Sequence, residues 1–233
     1  MNTLLLGYDD NLGLPDDFIT IPLKTKAYHD IKQLLHDFET NKLPLVFVPA
    51  GTLPYLTSYS MIAQATFGLQ QALHLTSVLV NKKKMSLSEI VSSQFGRVNQ
   101  YCTTSFWAPL IYFMEKSVST NFINFIDTKG FQDLLFKVAD QSIDTAMVWD
   151  IILQDNPEAT QRVEELGSKN DLPTPLILSK LPIAETLKNS IINFKSSDKK
   201  SFFNGFKAVD VDLINNFRER IMSAIKHFHL KLN

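Results

Sequence analysis

The chain has little of the material from which common catalytic and cofactor sites are built. Cys102 is its only cysteine, which excludes an internal disulfide. Its eight glycines form no P-loop, no G-x-G-x-x-G dinucleotide loop and no G-x-S-x-G nucleophile elbow. Its five histidines lack the spacing typical of metal ligands. The sequence therefore predicts no cofactor, no metal site and no nucleophile–base pair, and we expect a protein that is not an enzyme.

Charge and hydropathy argue against two further classes. The 23 Lys and Arg residues nearly balance the 24 Asp and Glu residues, and the formal net charge is −1, whereas nucleic-acid-binding domains are usually basic. No apolar run approaches the about 20 residues that a membrane-spanning helix needs. The first residues lack the basic and apolar regions of a signal peptide. We expect no nucleic-acid partner and no transmembrane segment. The expected location is periplasmic or extracytoplasmic if a signal peptide has been removed, and cytoplasmic otherwise.

What the sequence does contain is an alternation of short apolar runs and amphipathic segments. From Lys24 to Phe38, for example, apolar residues recur at helical spacing between charged ones. Ser86 and Glu89 form a capping-box pattern at the start of a short helix. Predicted strands lie at 3–6, 43–48, 75–81, 96–101, 123–126, 144–149 and 176–178, and further predicted helices at 58–64, 106–115 and 131–139. This alternation predicts an α/β fold with mostly parallel strands.

Three consecutive hydroxyl residues, Thr103, Thr104 and Ser105, separate a predicted strand from a predicted helix that starts at Phe106. Any of them could cap the helix and serve it alone. The same position also suits an anion, because backbone N–H groups at a helix start have no partner within the helix and the helix dipole is positive there. Both interpretations are open from spacing alone.

Aromatic and acidic residues follow several predicted strands. Tyr8, Tyr55 and Trp149 come directly or shortly after strands, and Asp150 follows Trp149. Ligands of open parallel sheets bind beyond the carboxyl ends of the strands. There, aromatic rings can stack on a ligand or hold a cation, although each such ring taken alone is more often a packing residue. The Asp9-Asp10 pair is most simply a solvated turn.

From Leu43 to Phe206, the order of these segments resembles the phosphonate/phosphate-type substrate-binding proteins of ABC transporters, which have the type 2 periplasmic-binding-protein fold. The motifs that carry the resemblance are Leu45-Val46-Phe47-Val48-Pro49-Ala50-Gly51-Thr52 with Tyr55, Gly96-Arg97-Val98, Thr103-Thr104-Ser105-Phe106-Trp107-Ala108-Pro109, and Ile143-Asp144-Thr145-Ala146-Met147-Val148.

The resemblance implies roles for individual residues. Thr103, Thr104 and Ser105 would grip the anionic group of a ligand, Tyr55 and Trp149 would line the cleft, Tyr8 would lie on its rim, and Asp150 would be near it. The chain also departs from the family pattern. Phe131 follows Gly130 where the family often has a histidine, and Trp149 precedes Asp150 where a carboxylate is often used. The predicted pocket is therefore more apolar and aromatic than one built for a small phosphonate.

The resulting prediction is a two-lobed protein that binds a small ligand in a cleft between its lobes. Lobe 1 comprises residues 1–77 and 172–233, lobe 2 comprises 78–171, and the hinge crossings lie near 78–82 and 164–171. The expected function is capture of an anionic or aromatic solute for ABC-type import by a monomer, with an ABC permease as partner. The alternatives are a cytoplasmic ligand sensor or protein-interaction module that reuses this fold and, third, an enzyme acting on a heterocyclic precursor.

Overall fold

A computed structural model describes residues 4–68, 70–82, 85–118, 124–198 and 201–232. Thr3 and Ile123, with which two of the predicted strands begin, lie outside these ranges. The chain folds into two compact units: unit 1 comprises Met1–Leu73 and Pro173–Ile214, and unit 2 comprises His74–Leu172 and Asn215–Asn233. The predicted α/β class with two lobes is confirmed.

Strands and helices alternate along most of the chain. The strands are β1 (Leu5–Asp9), β2 (Lys24–Tyr28), β3 (Leu45–Val48), β4 (Ser60–Thr66), β5 (His74–Asn81), β6 (Gln94–Arg97), β7 (Asn124–Asp127), β8 (Thr145–Trp149), β9 (Glu164–Pro173), β10 (Leu176–Ser179) and β11 (Gly205–Lys207). The α-helices are α1 (Ile31–Glu39), α2 (Leu87–Val91), α3 (Ala108–Glu115), α4 (Phe131–Ala139), α5 (Asp150–Asp155), α6 (Pro157–Thr160), α7 (Glu185–Ile192) and α8 (Val211–His227). Short 3₁₀ helices span Asp16–Thr20 and Ala50–Tyr55, and a π-helical turn spans Thr103–Trp107.

Unit 1 is built on a six-stranded sheet in the order β11-β4-β10-β3-β1-β2. β1 is parallel to both β2 and β3, whereas β10 is antiparallel to β3 and β4, and β11 is antiparallel to β4. Helix α1 packs closely on β1: a Cβ atom on Gly7 would come within 2.7 Å of the Leu34 and Leu43 side chains. The absence of a side chain at Gly7 therefore sets the spacing between helix and sheet.

Unit 2 is built on a five-stranded sheet in the order β7-β6-β8-β5-β9. β6 is parallel to β7 and β8, and β5 is antiparallel to β8. The two faces of β6 are covered by different helices. Phe95 packs edge-on against Phe113 of α3, whereas Gly96 lies against Leu134 of α4 and Ile143. The side chains of these apolar residues are all buried. They form the core that positions the carboxyl ends of β6 and β8.

Both sheets mix strand directions, which corrects one detail of the prediction. In unit 1, three of the five neighbouring pairs are antiparallel, so this sheet is not mostly parallel. Apolar runs reveal that a strand is buried, but they do not encode its direction, which follows from pairing with distant segments.

Two segments predicted as helical are strands. Residues 24–28 form the edge strand β2, with four of five positions exposed; lysines are common at such edges because they discourage pairing with other chains. Residues 60–66, overlapping the predicted helix 58–64, form β4. This strand lies between β10 and β11 and is buried at five successive positions, so it shows no alternating pattern.

The unit boundaries differ from the predicted lobes. The chain passes between the units at 73/74, 172/173 and 214/215, not within 78–82 or 164–171. Asn81 lies inside unit 2 and pairs with Thr145. Residues 215–233, predicted to belong to lobe 1, are part of unit 2.

An ion-pair network joins α3, β9 and the part of α8 that belongs to unit 2. Glu115 at the end of α3 lies 2.7 Å from Nζ of Lys169 on β9 and 3.3 Å from Nε of Arg220 on α8. Phe217, Ile221 and other apolar residues of α8 are fully buried. Among the described residues, no helix combines the length and the apolar character needed to cross a membrane.

Candidate ligand-binding site

The helix after β6 begins earlier than its sequence predicted. The π-helical turn Thr103–Trp107 runs directly into α3, and the amide of Ala108 donates to the carbonyl of Thr103. Cys102 is the N-cap, and its Sγ accepts from the amide of Ser105 over 3.4 Å. Thr103, Thr104 and Ser105 therefore occupy the first turn and do not cap the helix, because the thiol takes the acceptor role that Ser or Thr usually has.

The three hydroxyl residues are buried, with exposed fractions of 4%, 2% and 0%. Oγ of Ser105 accepts a hydrogen bond from the amide of Val98 over 2.9 Å. This bond ties the helix start to the end of β6, so Ser105 has a structural role in addition to any contact with a ligand. Oγ1 of Thr104 lies 3.5 Å from Sγ of Cys102, a weak interaction that leaves this hydroxyl able to bond elsewhere.

Ser77 brings the helix start next to the end of β8. This residue of β5 is fully buried, and its hydroxyl donates to the carbonyl of Thr104 over 2.9 Å, with the carbonyl of Val148 3.4 Å away. Ser77 also pairs with Trp149 across the sheet. Thr104 and the carboxyl end of β8 are thus held against the same side chain. Nothing in the sequence identified Ser77, because this contact joins residues 27 and 71 positions apart.

Trp149 ends β8 and is 2% exposed. Its ring meets that of Phe131 edge-on, with 6.2 Å between the centroids. Phe131 is half-buried and opens α4 directly after Gly130, so it lies just beyond the carboxyl end of β7. Because β6, β7 and β8 are parallel, their carboxyl ends lie on one edge of the sheet. This edge therefore carries an aromatic pair beside the helix start.

Asp150 follows Trp149 as the first residue of α5. Its Oδ1 accepts from the amide of Ile151 over 2.9 Å. Burial raises the pKa of the Asp150 carboxyl, and the hydrogen bonds from backbone amides oppose that increase only in part. A half-buried carboxylate beside Trp149 disfavours additional negative charge nearby.

Arg97 adds a positive charge at the same edge. The last residue of β6, it pairs with Asp127 at the end of β7. Its guanidinium lies 4.9 Å from the ring centroid of Phe106 and 5.1 Å from that of Phe125, within cation–π range of both. In the sequence, Arg97 belongs to the motif Gly96-Arg97-Val98, to which no role was assigned. An arginine at the end of a strand, followed by an aromatic residue at a helix start, is the signal that could have identified it.

Tyr8 and Tyr55, the other predicted site residues, belong to unit 1. Tyr8 lies within β1 and not after it, and Tyr55 ends the 3₁₀ helix Ala50–Tyr55. Both are half-buried. Burial, followed by the charges of Asp10 and Asp16, raises the pKa of Tyr8. Asp9 ends β1 and is 2% exposed, so the expectation of a solvated pair is wrong for this residue. Its Oδ1 accepts from both nitrogens of Asn11 in the turn that follows the strand.

Unit 2 also has a cavity of ≈ 230 Å³, which none of the predicted site residues lines. It is lined by Asn81, Lys82, Met85, Gln141, Ile143 and Asp144. Because Thr145 begins β8 and pairs with Asn81, this cavity is at the amino end of the strand that Trp149 ends. In the described part of the chain, no group of three or more His, Cys, Asp or Glu side chains is arranged to hold a metal ion.

Two α/β units of discontinuous sequence, each with a mixed sheet flanked by helices, define the periplasmic-binding-protein fold, and solved structures of that fold match this chain. One is XAC2383 of Xanthomonas citri, bound to chloride or to ATP (TM-scores 0.77 and 0.76, 11% identity, 97% of this chain and 99% of that chain). A second is a binding protein component of an ABC phosphonate transporter of Pseudomonas aeruginosa (TM-score 0.72, 13% identity, 97% and 87%). A third is PhnD1 of Prochlorococcus marinus in complex with methylphosphonate (TM-score 0.70, 13% identity, 96% and 98%).

At these identities the similarity establishes the fold alone. No protein-family model matches the chain, and no curated protein matches its sequence.

Proposed function

We propose that this protein is a solute-binding protein that captures a small anion, with phosphonates and phosphate-like compounds as the first candidates, for ABC-type import. The observation that carries the proposal is the helix start at Thr103, Thr104 and Ser105. The amides of Thr103 and Thr104 begin a helix of residues 103–115, counting the π-helical turn and α3 together, and they are directed toward the amino end of that helix. The next amide, that of Ser105, donates to Sγ of Cys102. Such a helix start favours negative charge through its amides and its dipole.

The electrostatics of the surrounding residues support an anion of low charge. Arg97 contributes a cation, but its ion pair with Asp127 offsets much of that charge. The two aromatic rings beside it keep part of its surface away from water. Asp150 acts in the opposite direction. Together they favour a ligand with one anionic group more than one with several.

The solved structures with the same fold support an anionic ligand, although not the preference for a single anionic group. Chloride, ATP and methylphosphonate, with which those proteins were solved, are all anions. The proposal extends to Tyr8 and Tyr55 as further ligand contacts, to an ABC permease as partner, to a monomeric state and to an extracytoplasmic location; each of these rests on the sequence resemblance.

The direct test is ligand-induced stabilisation, since a ligand that binds only the folded state raises the melting temperature. Wild type and Thr104→Val, which replaces the hydroxyl with a methyl group, are compared with methylphosphonate, phosphate and methanesulfonate by thermal shift and calorimetry. A hydrogen bond to a charged group contributes about 1.5–3 kcal/mol. The Kd of the bound anion is therefore expected to rise roughly 10- to 100-fold in the variant.

Thr145→Val is the matched control. Thr145 is also fully buried in unit 2, but it begins β8, at the opposite end of the strand from Trp149. This variant is expected to lose some stability while it keeps the ligand-induced shift. If no anion stabilises the wild-type protein, the proposed function is wrong; an equal loss of affinity in both threonine variants would remove Thr104 from the site.

A further inference from the structure

We infer that the ligand carries an apolar or aromatic substituent next to its anionic group, and that Phe131 is the residue that selects it. This inference rests on the proposed function and specifies its substrate class. It assigns a role to a side chain that was not among the predicted site residues.

The first step is the position of Phe131. The residue is the first of α4 and follows the end of β7 by four positions. Between them, Thr128 donates hydrogen bonds to the carbonyl of Arg97 from its amide, over 2.8 Å, and from its hydroxyl, over 3.1 Å. The connection from β7 to α4 is therefore pinned to the end of β6. Phe131 is held at the carboxyl edge of the sheet, where ligands of α/β folds bind.

The second step is the series of contacts that connects Phe131 to the helix start at which we propose the anion binds. Ser77 contacts the carbonyls of Thr104 and Val148 through one hydroxyl. Trp149, the next residue after Val148, packs on Phe131. A chain of direct contacts thus leads from Thr104 through Ser77 and the end of β8 to Phe131. The inference places the remaining atoms of a ligand whose anionic group binds at Thr104 against this aromatic pair.

The third step is what Phe131 offers a ligand. Of the two packed aromatic residues, Trp149 is buried, so the part that remains accessible is the half-buried phenyl ring of Phe131. A phenyl ring has no hydrogen-bond donor or acceptor, and covering it with apolar ligand atoms removes both surfaces from water. Asp150, adjacent to Trp149 in the chain, disfavours a second anionic group. A substituent that is uncharged and apolar satisfies both conditions.

The test uses two monophosphonates that differ only in the substituent. Calorimetry measures the Kd of methylphosphonate and phenylphosphonate for wild type, Phe131→His and Phe136→His. Wild type is expected to prefer phenylphosphonate by about tenfold or more, since a phenyl group buries far more apolar surface than a methyl group. Phe131→His is expected to abolish most of this preference and to retain binding of methylphosphonate. Phe136 lies on the same helix and is also half-buried, so Phe136→His is expected to keep the wild-type preference.

Several outcomes would overturn the inference. If wild type binds both phosphonates equally, the substituent is not recognised, although the proposed function stands. If Phe131→His weakens both ligands by the same factor, Phe131 has only a structural role. Should that variant fail to fold by circular dichroism, Phe131→Ala decides, because alanine removes the ring and with it the apolar contact; an unchanged preference for phenylphosphonate in that variant would show that Phe131 does not select the substituent. Binding of neither phosphonate by wild type overturns the proposed function, and the inference with it.

Discussion

The hydroxyl of Ser77 donates a hydrogen bond to the backbone carbonyl of Thr104, with 2.9 Å between the two oxygens. This bond joins strand β5 of unit 2 to the first turn of the helix that continues into α3. Because Ser77 is fully buried, removal of its hydroxyl would leave the carbonyl of Thr104 without this partner. The position of the candidate anion site therefore depends on a residue that has no contact with the ligand in our proposal.

Replacement of Ser77 by alanine is expected to destabilise the protein by about 1–3 kcal/mol, the cost of leaving a buried carbonyl without its partner. Urea unfolding monitored by circular dichroism measures this change. Ser92→Ala is a suitable control, since Ser92 is exposed and its hydroxyl donates to a helical carbonyl of Glu89; it should lose less than about 0.5 kcal/mol. Equal losses in the two variants would mean that the Ser77 bond has no special importance.

An ion pair in unit 1 is expected to make stability depend on pH. Nζ of Lys180 lies 2.6 Å from Oε1 of Glu39, and Thr57 donates to the other oxygen over 2.6 Å. Burial by itself raises the pKa of Glu39, but the hydrogen bonds and the charge of Lys180 outweigh it, and the net effect is a lowered pKa. A lowered pKa in the folded state contributes stability above the ordinary value of 4.5, and this contribution is lost as the pH falls through the folded-state pKa.

Glu39→Gln should therefore reduce the free energy of unfolding at pH 7 by about 1–3 kcal/mol. The difference from wild type should shrink as the pH is lowered below the ordinary glutamate value. Urea titrations at several pH values between neutral and strongly acidic follow this change. Glu158→Gln, at an exposed position of α6, serves as the reference; a constant gap between Glu39→Gln and wild type at all pH values would contradict the assignment.

Trp149 should report ligand binding by its fluorescence. The chain has two tryptophans, and Trp149 packs against Phe131, which we place next to the ligand. An anion that stabilises the protein is expected to shift the emission of wild type, and the shift should disappear in Trp149→Phe, where Trp107 remains. A shift of unchanged size in Trp149→Phe would place the environmental change at Trp107.

Asp150 should oppose anion binding when it is ionised. Because burial raises the pKa of its carboxyl in the folded protein, protonation begins above the ordinary value of 3.8 as the pH is lowered from neutral, and the neutral carboxyl no longer repels the ligand. The affinity for methanesulfonate, which keeps one negative charge throughout, should therefore rise as the pH falls from neutral toward the ordinary value for an aspartate. Asp150→Asn should bind more tightly than wild type at pH 7 and lose the pH dependence.

The same pKa predicts the effect of Asp150 on stability. A carboxyl with a raised folded-state pKa stabilises the fold below the ordinary value of the free group, and this stabilisation is lost as the pH rises through the folded-state pKa. Asp150→Asn is therefore expected to be at least as stable as wild type at pH 7, provided that the amide oxygen still accepts from Ile151. A stability loss at neutral pH would show that the carboxylate is needed at the start of α5.

Much of the fold could be predicted because it is encoded locally. The capping box of Ser86 and Glu89 is present at the start of α2, with bonds in both directions between the two residues. The apolar runs that end at Val48 and Trp149 are strands. The prediction failed where burial removed the pattern, as in β4, whose Gln64 is fully buried and satisfied by the carbonyl of Leu73 and the amide of Asp210. The local sequence around Gln64 does not indicate either of these two partners.

The sequence by itself determined that this protein is an α/β protein and that hydroxyl residues lie between a strand and a helix, since both follow from neighbouring residues and their periodicity. Only the tertiary structure decided that Cys102 caps that helix, that Ser77 holds it and that Phe131 lies beside Trp149. The reason is that each of the latter two contacts joins segments far apart in the chain, and their pairing is selected by the packing of the whole sheet and its helices. A local pattern specifies an element, whereas the neighbours of that element are fixed by burial and by the need of every buried polar group for a partner.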